Sequence, residues 1–168
     1  GRLFAFEHFD VVPDILVLGK ALGGGMPMGA FISARARMEL FTHDPVLGHI
    51  TTFGGHPIAC VAGLAALEML LEEELIANAA RMGELFKQQL VHPHIKEVRG
   101  LGLMLAVDLG DADAVQRVVM GCLEKGVLGF WFLSCPGSFR VAPPLVIGNT
   151  EVVTASKVVL AQLDALGR

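Results

Sequence analysis

The sequence predicts an α/β chain that ends in a small α+β domain, and three observations carry this. A short apolar run, Ile15 to Leu18, breaks into Gly19, Lys20 and the glycines Gly23, Gly24 and Gly25, and a second apolar run, Ala30 to Ser33, follows, so the order is strand, glycine loop, strand. Two helical stretches come next, the first opened by Pro57 and the second by Leu75. From Ile95 onward the pattern changes to short strands interleaved with helices, which places a domain boundary at Val91 to His94.

Each element has its own signal. Val12-Pro13-Asp14 is a turn ahead of the first strand, and Ala34 to Phe41 is a brief helix ended by Asp44-Pro45. Ala30 to Ser33 and Ile58 to Leu71 are apolar nearly throughout, which predicts a buried strand and a buried helix. The next stretch repeats apolar residues at Leu75, Ala79, Met82, Phe86 and Leu90, a helix-period stripe expected to bridge two domains. Strands are then expected over Ile95–Val98, Leu101–Val107, Val127–Leu133 and Ser138–Val141. A helix from Ala114 to Lys125 stops at Gly126, and Thr150-Glu151 caps a last helix to Leu166.

Composition narrows the function classes. Hydrophobic residues make up 53% of the 168, with 20 glycines besides, so apolar surface covered by another part of the molecule or another copy is expected. The chain opens at Gly1 without a methionine, and an oligomer, a segment of a longer chain, or both is the expectation. Its 17 acidic and 13 basic residues are dispersed, with no basic stripe to track a phosphate backbone, which argues against nucleic acid as a partner. Pro45 to Leu67 is the longest span free of charge, but histidines, threonines, glycines and Pro57 break it, so it does not cross a bilayer.

Cys60, Cys122 and Cys135 lack C-x-x-C spacing and read as reduced, buried thiols of a cytoplasmic protein. His92 and His94 have no further ligand at metal spacing, so no metal is expected.

Three polar features stand in apolar or glycine-rich surroundings. Lys20 follows a strand directly, and two readings are open. It is either a solvated loop lysine or a lysine whose amine forms a Schiff base with an aldehyde. It is not a Walker lysine, because Ala21 follows it and the required glycine spacing is missing. Thr51-Thr52-Phe53-Gly54-Gly55-His56 sets two hydroxyls and two glycines ahead of the Pro57 helix. Arg140 lies in an apolar strand before Pro143-Pro144, where its planar fork suits either a substrate carboxylate or a structural acid of the same domain. Arg99, at a turn before Gly100, reads as a weaker version of the same feature or as simply solvated.

Together these stretches resemble the class III aminotransferases, pyridoxal-phosphate enzymes that include the ornithine and acetylornithine aminotransferases. The resemblance lies in Pro13-Asp14-Ile15 with Lys20-Ala21-Leu22-Gly23-Gly24-Gly25-Met26-Pro27, in Thr52-Phe53-Gly54-Gly55-His56-Pro57, in Arg99-Gly100-Leu101-Gly102-Leu103-Met104, and in Arg140 ahead of Pro143-Pro144-Leu145. It implies that residues 1–91 are the C-terminal part of a fold type I large cofactor-binding domain with its interdomain helix, and that 92–168 are the small domain. It implies pyridoxal 5'-phosphate as cofactor, bound by Lys20, which also acts as the catalytic base. Thr52 would reach the cofactor phosphate of the neighbouring subunit, so the active site would be shared in a homodimer. Arg140 would bind the substrate carboxylate, with Thr51 facing the substrate.

The implied reaction passes an amino group from an amino acid or ω-amino donor to a 2-oxo acid such as 2-oxoglutarate. The family's acid for the pyridine nitrogen, its phosphate loop and its ring-stacking aromatic are not in this sequence, so the segment alone is expected to be inactive. His56 stands where many relatives have asparagine. Competing readings are an aminomutase, epimerase or decarboxylase of the same fold, and a non-catalytic assembly segment.

Overall fold

The computed structural model describes residues 1–167, which separate into two compact units, Arg2–Glu74 and Gly1 with the chain from Leu75 onward. In the first unit, β1 (Ile15–Leu18) pairs antiparallel with β2 (Ala30–Ser33), Leu18 standing opposite Ala30. The hairpin is clamped at its open end, where the Ser33 hydroxyl donates to the Asp14 carbonyl at 2.7 Å and the Arg37 guanidinium pairs with the Asp14 carboxylate. Arg37 belongs to α1 (Arg35–Met38), a single turn that continues as a 3-10 turn to Phe41. The long helix α2 (Pro57–Glu72) starts with proline at its first position, where no N–H is missed.

The expected burial of β2 and α2 is not found. Phe31 and Ile32 are exposed, as are Val61, Leu64 and Met69, and Gly63 is the one buried residue of α2. A helix that is apolar on every side has no face suited to water, and within residues 2–74 α2 packs on the short turn after β1.

The second unit is built differently. Helix α3 (Leu75–Gln89) is followed by β3 (Glu97–Leu101), β4 (Met104–Asp108), α4 (Ala112–Glu124), β5 (Phe130–Trp131), β6 (Ser138–Val141) and α5 (Asn149–Asp164). The strands form one antiparallel sheet in the order β3-β4-β6-β5. Leu105, Val107 and Phe139 turn from the sheet into a core shared with Met82 and Phe86 of α3, Val115 and Val118 of α4, and Val152 and Leu163 of α5. The expected stripe of α3 is the buried one: Ala79, Met82, Phe86 and Leu90 are all in this core.

Several boundaries differ from the sequence reading. The break expected after Val98 falls later, because Arg99 and Gly100 stay in the ladder and the chain reverses at Gly102 and Leu103, between Leu101 and Met104. Gly102 has φ +53, the left-handed backbone that a two-residue hairpin loop demands. The strand expected over 127–133 shortens to Phe130–Trp131. Asp111 caps α4, its carboxylate accepting from the amides of Asp113 and Ala114, and Gly126 (φ +81) ends it as expected. Helix α5 is capped from Gly148, whose amide donates to Glu151 at 3.1 Å, rather than by Thr150. Cys122 is buried, but Cys60 is exposed, contrary to expectation, since it lies on the uncovered helix α2.

Candidate active site

Strand β1 ends at Leu18 and delivers Lys20 into a tight 3-10 turn, Lys20–Gly23. Lys20 is exposed and has φ +55, a left-handed backbone uncommon for a residue with a side chain. The turn is fastened by successive amide bonds, Leu22 to the Gly19 carbonyl, Gly24 to Ala21 and Met26 to Gly23.

Glycines also fix the turn against α2. Gly24 has φ +57, and a Cβ there would collide with the Ala62 carbonyl oxygen. A Cβ on Gly63 would lie 2.7 Å from the Leu22 carbonyl oxygen and 3.1 Å from the Met28 sulfur. Backbone therefore packs on backbone, and no larger residue fits at either position.

The stretch ahead of α2 is a chain of turns, with the Gly54 amide on the Thr51 carbonyl and the His56 amide on Phe53. Thr51 and Thr52 are both exposed. Pro27, Met28 and Gly29, which close the Lys20 loop, face Thr51, Gly54, Gly55 and His56 across a cavity of about 280 Å³. The fold thus brings the loop that begins at Lys20 and the turn that carries the two threonines to one place in the first unit, although Lys20 and Thr52 do not themselves line this cavity. Among the described residues no hydrogen-bond partner is found for the Thr52 hydroxyl.

In the second unit, Arg99, Ala106, Arg140 and Phe130 stand side by side on β3, β4, β6 and β5, and Glu97, Asp108 and Ser138 form the row beside them. Arg99 is engaged on all sides. It donates to Asp108 at 2.8 Å, to Glu97 at 3.2 Å and to the buried Ser138 hydroxyl at 3.3 Å, and lies 3.6 Å from the Cys135 sulfur. The Arg99 hydrogen bond holds the Asp108 carboxyl below the usual carboxylate range against partial desolvation, with help from the Gly110 amide. Arg140 has no ion pair among the described residues, and its guanidinium lies over the Phe130 ring, 5.6 Å from the centroid.

The family model for class-III aminotransferases matches residues 1–160. The chain belongs to the class III aminotransferases. It is 39% identical over 160 residues to an acetylornithine aminotransferase of Archaeoglobus fulgidus, covering 95% of this chain and 40% of that protein. With ornithine aminotransferase 2 of Staphylococcus aureus the identity is 38%, covering 90% of this chain and 38% of the other. The crystal structure of the Toxoplasma gondii ornithine aminotransferase superposes with a TM-score of 0.86 at 36% identity, over 99% of this chain and 40% of that one. The chain therefore spans about two fifths of the length of these relatives. The expected fold is met: a mixed α/β fragment of the aminotransferase architecture.

For a class III aminotransferase chain, the structure chooses between the readings left open for the two arginines. Arg99 is the paired guanidinium and not the solvated turn residue, and it is the centre of an acid-paired network. The hairpin supplied the signal, because once the turn sits at Gly102, Asp108 falls diagonally opposite Arg99. The structural acid considered for Arg140 is not found among the described residues, and its neighbour is instead the aromatic Phe130, directly across the ladder. Lys20, Thr51 and Thr52 belong to the first unit and Arg140 to the second.

Proposed function

We propose that the full-length protein is a pyridoxal-phosphate-dependent aminotransferase. It would move an amino group from an ornithine- or acetylornithine-like donor to a 2-oxo acid such as 2-oxoglutarate. The observation that carries this reading is Lys20 itself: an amine presented at the end of a strand, in a left-handed backbone held by a glycine-locked turn, inside the segment that matches the family. Relatives support the substrate class by name, and the Toxoplasma gondii enzyme holds pyridoxal phosphate at partial occupancy in its active site.

The residues present fit that cofactor in two respects. An aldehyde needs a primary amine, which Lys20 has. A phosphate needs N–H and O–H donors, which the Thr52 hydroxyl and the first-turn amides of α2 after Pro57 provide, and the open space beside Gly55 (φ +71) leaves room for it. When bound, the cofactor's ring supplies an electron sink.

The remaining work falls to the chain's own side chains. Lys20 Nζ is the amine that would hold the cofactor's aldehyde, and the same nitrogen would carry the proton to and from the substrate carbon. The Thr52 hydroxyl would help hold the phosphate of the neighbouring subunit's cofactor, which would make the working unit a homodimer. Thr51 faces the substrate, and Arg140 binds its carboxylate through a two-point fork that orients the reacting carbon. Residues 1–91 are the C-terminal part of the large domain with its interdomain helix, and 92–168 are the small domain; α3 would be that interdomain helix, packed into the small domain's core, and the segment alone would be inactive. No described helix is long and apolar enough to cross a membrane, and the reading is of a cytoplasmic enzyme.

Treating the full-length protein with pyridoxal phosphate, reducing with borohydride and mapping the modified peptide tests this. Labelling at Lys20 is expected, and its loss in Lys20→Ala. Labelling scattered over other lysines, or none, would overturn the reading and favour an assembly role.

A further inference from the structure

The outer face of the four-stranded sheet carries two arginines in one row, Arg99 on β3 and Arg140 on β6, with the small side chain of Ala106 between them. Their surroundings are opposite. Arg99 takes Asp108 and Glu97, the two carboxylates of the adjoining row. Arg140 is left without a protein carboxylate among the described residues, and its partner is the ring of Phe130. Phe130 is paired with Arg140 in the β5–β6 ladder, so the backbone register, and not a chance side-chain contact, sets the ring beside the guanidinium.

We propose that Phe130 is the positioning residue for Arg140. Its ring holds the guanidinium in place for a substrate carboxylate, while Arg99 keeps Glu97 and Asp108 from occupying that fork. The inference rests on the reading of Arg140 as the carboxylate binder. An exposed arginine samples many rotamers, and a ligand that needs one of them must pay to order it. A ring under the guanidinium removes part of that cost before the ligand arrives. The two interactions do not compete, because the ring meets the face of the guanidinium whereas its N–H donors lie in the plane. A cation over an exposed aromatic is biased about two- to fivefold toward that rotamer, and this bias is the largest gain in affinity the ring can give a ligand that needs it.

The test uses the full-length holoenzyme and glutarate, a non-reacting dicarboxylate, with dissociation constants read by isothermal titration calorimetry. Phe130→Leu keeps apolar bulk and removes the π face, and should weaken glutarate binding about two- to fivefold with an unchanged melting temperature. Phe130→Tyr should restore wild-type affinity, and Arg140→Ala should weaken binding further than either. If Arg140→Ala binds as wild type does, the carboxylate reading itself fails. If Arg140→Ala weakens binding but Phe130→Leu does not, the positioning role alone fails. It also fails if Phe130→Tyr is as weak as Phe130→Leu. Should Phe130→Leu not fold, Phe130→Met takes its place in the same comparison.

Discussion

The two units of this chain are similarly apolar in sequence and opposite in what they bury. Every buried hydrophobic side chain among the described residues lies between Ala79 and Leu163, in the second unit. In residues 2–74 the buried positions are two glycines, Gly23 and Gly63. The second unit closes three helices over one face of a sheet and has a core of its own. The first holds its shape through backbone contacts, the β1–β2 ladder and the glycine-locked turn on α2, while Val17, Phe53, Val61 and Leu64 stay exposed. The contrast teaches that the lysine-bearing unit is positioned by close backbone approach and not by a buried side-chain core. The carboxylate-binding candidate, by contrast, sits on a unit with a buried core of its own.

Core truncation should separate the two units most strongly. Leu105 is fully buried, and Leu105→Ala should destabilise the second unit by about 3 kcal/mol, whereas Val61→Ala, at 66% exposure, should change the stability of this chain by less than about 0.5 kcal/mol. Chemical denaturation of both variants checks this, and equal losses would break the comparison.

A smaller effect is expected from Gly63→Ala. The added methyl meets the Leu22 carbonyl and should cost about 1–3 kcal/mol. Because it displaces the Lys20 turn, it should also reduce borohydride labelling of Lys20 in the full-length protein. Retained labelling would show that the turn keeps its place without the close approach.

The smallest effect concerns pH. The folded Asp108 carboxyl is held below its unfolded value, mainly by the Arg99 hydrogen bond. Its contribution is therefore complete above about pH 4 and is lost as pH falls through the lower folded value. Wild type should lose stability on acidification below about pH 4 more steeply than Asp108→Asn, as measured by thermal melts in acid buffers. Parallel acid limbs would remove the pair from the account of the second unit.

Much of the second unit was legible because its signals are local and agree with one another. The stripe at Ala79, Met82, Phe86 and Leu90 is buried as its period predicts, and Gly126 ends α4 where the chain needs a left-handed residue. The turn between β3 and β4 was misplaced because two glycines, Gly100 and Gly102, offered themselves, and only the strand pairing chose the second. Of the candidate site, Lys20 and the threonine turn were visible as polar residues in apolar or glycine-rich settings. Their supports were not, since the contact of Gly24 with Ala62 and that of Gly63 with Leu22 join stretches far apart in the chain.

By itself, the sequence determined the elements, their order, the lysine at the strand end and, through four motifs, the family. Periodicity, caps and glycine spacing act over a few residues and are written locally. Tertiary structure alone decided that the apolar residues of α2 are exposed, that among the described residues Arg99 meets carboxylates while Arg140 does not, and that Phe130 lies against Arg140. Those outcomes depend on register and on neighbours distant in sequence, and hydrophobicity along the chain says how much a residue gains from burial, not what is there to bury it.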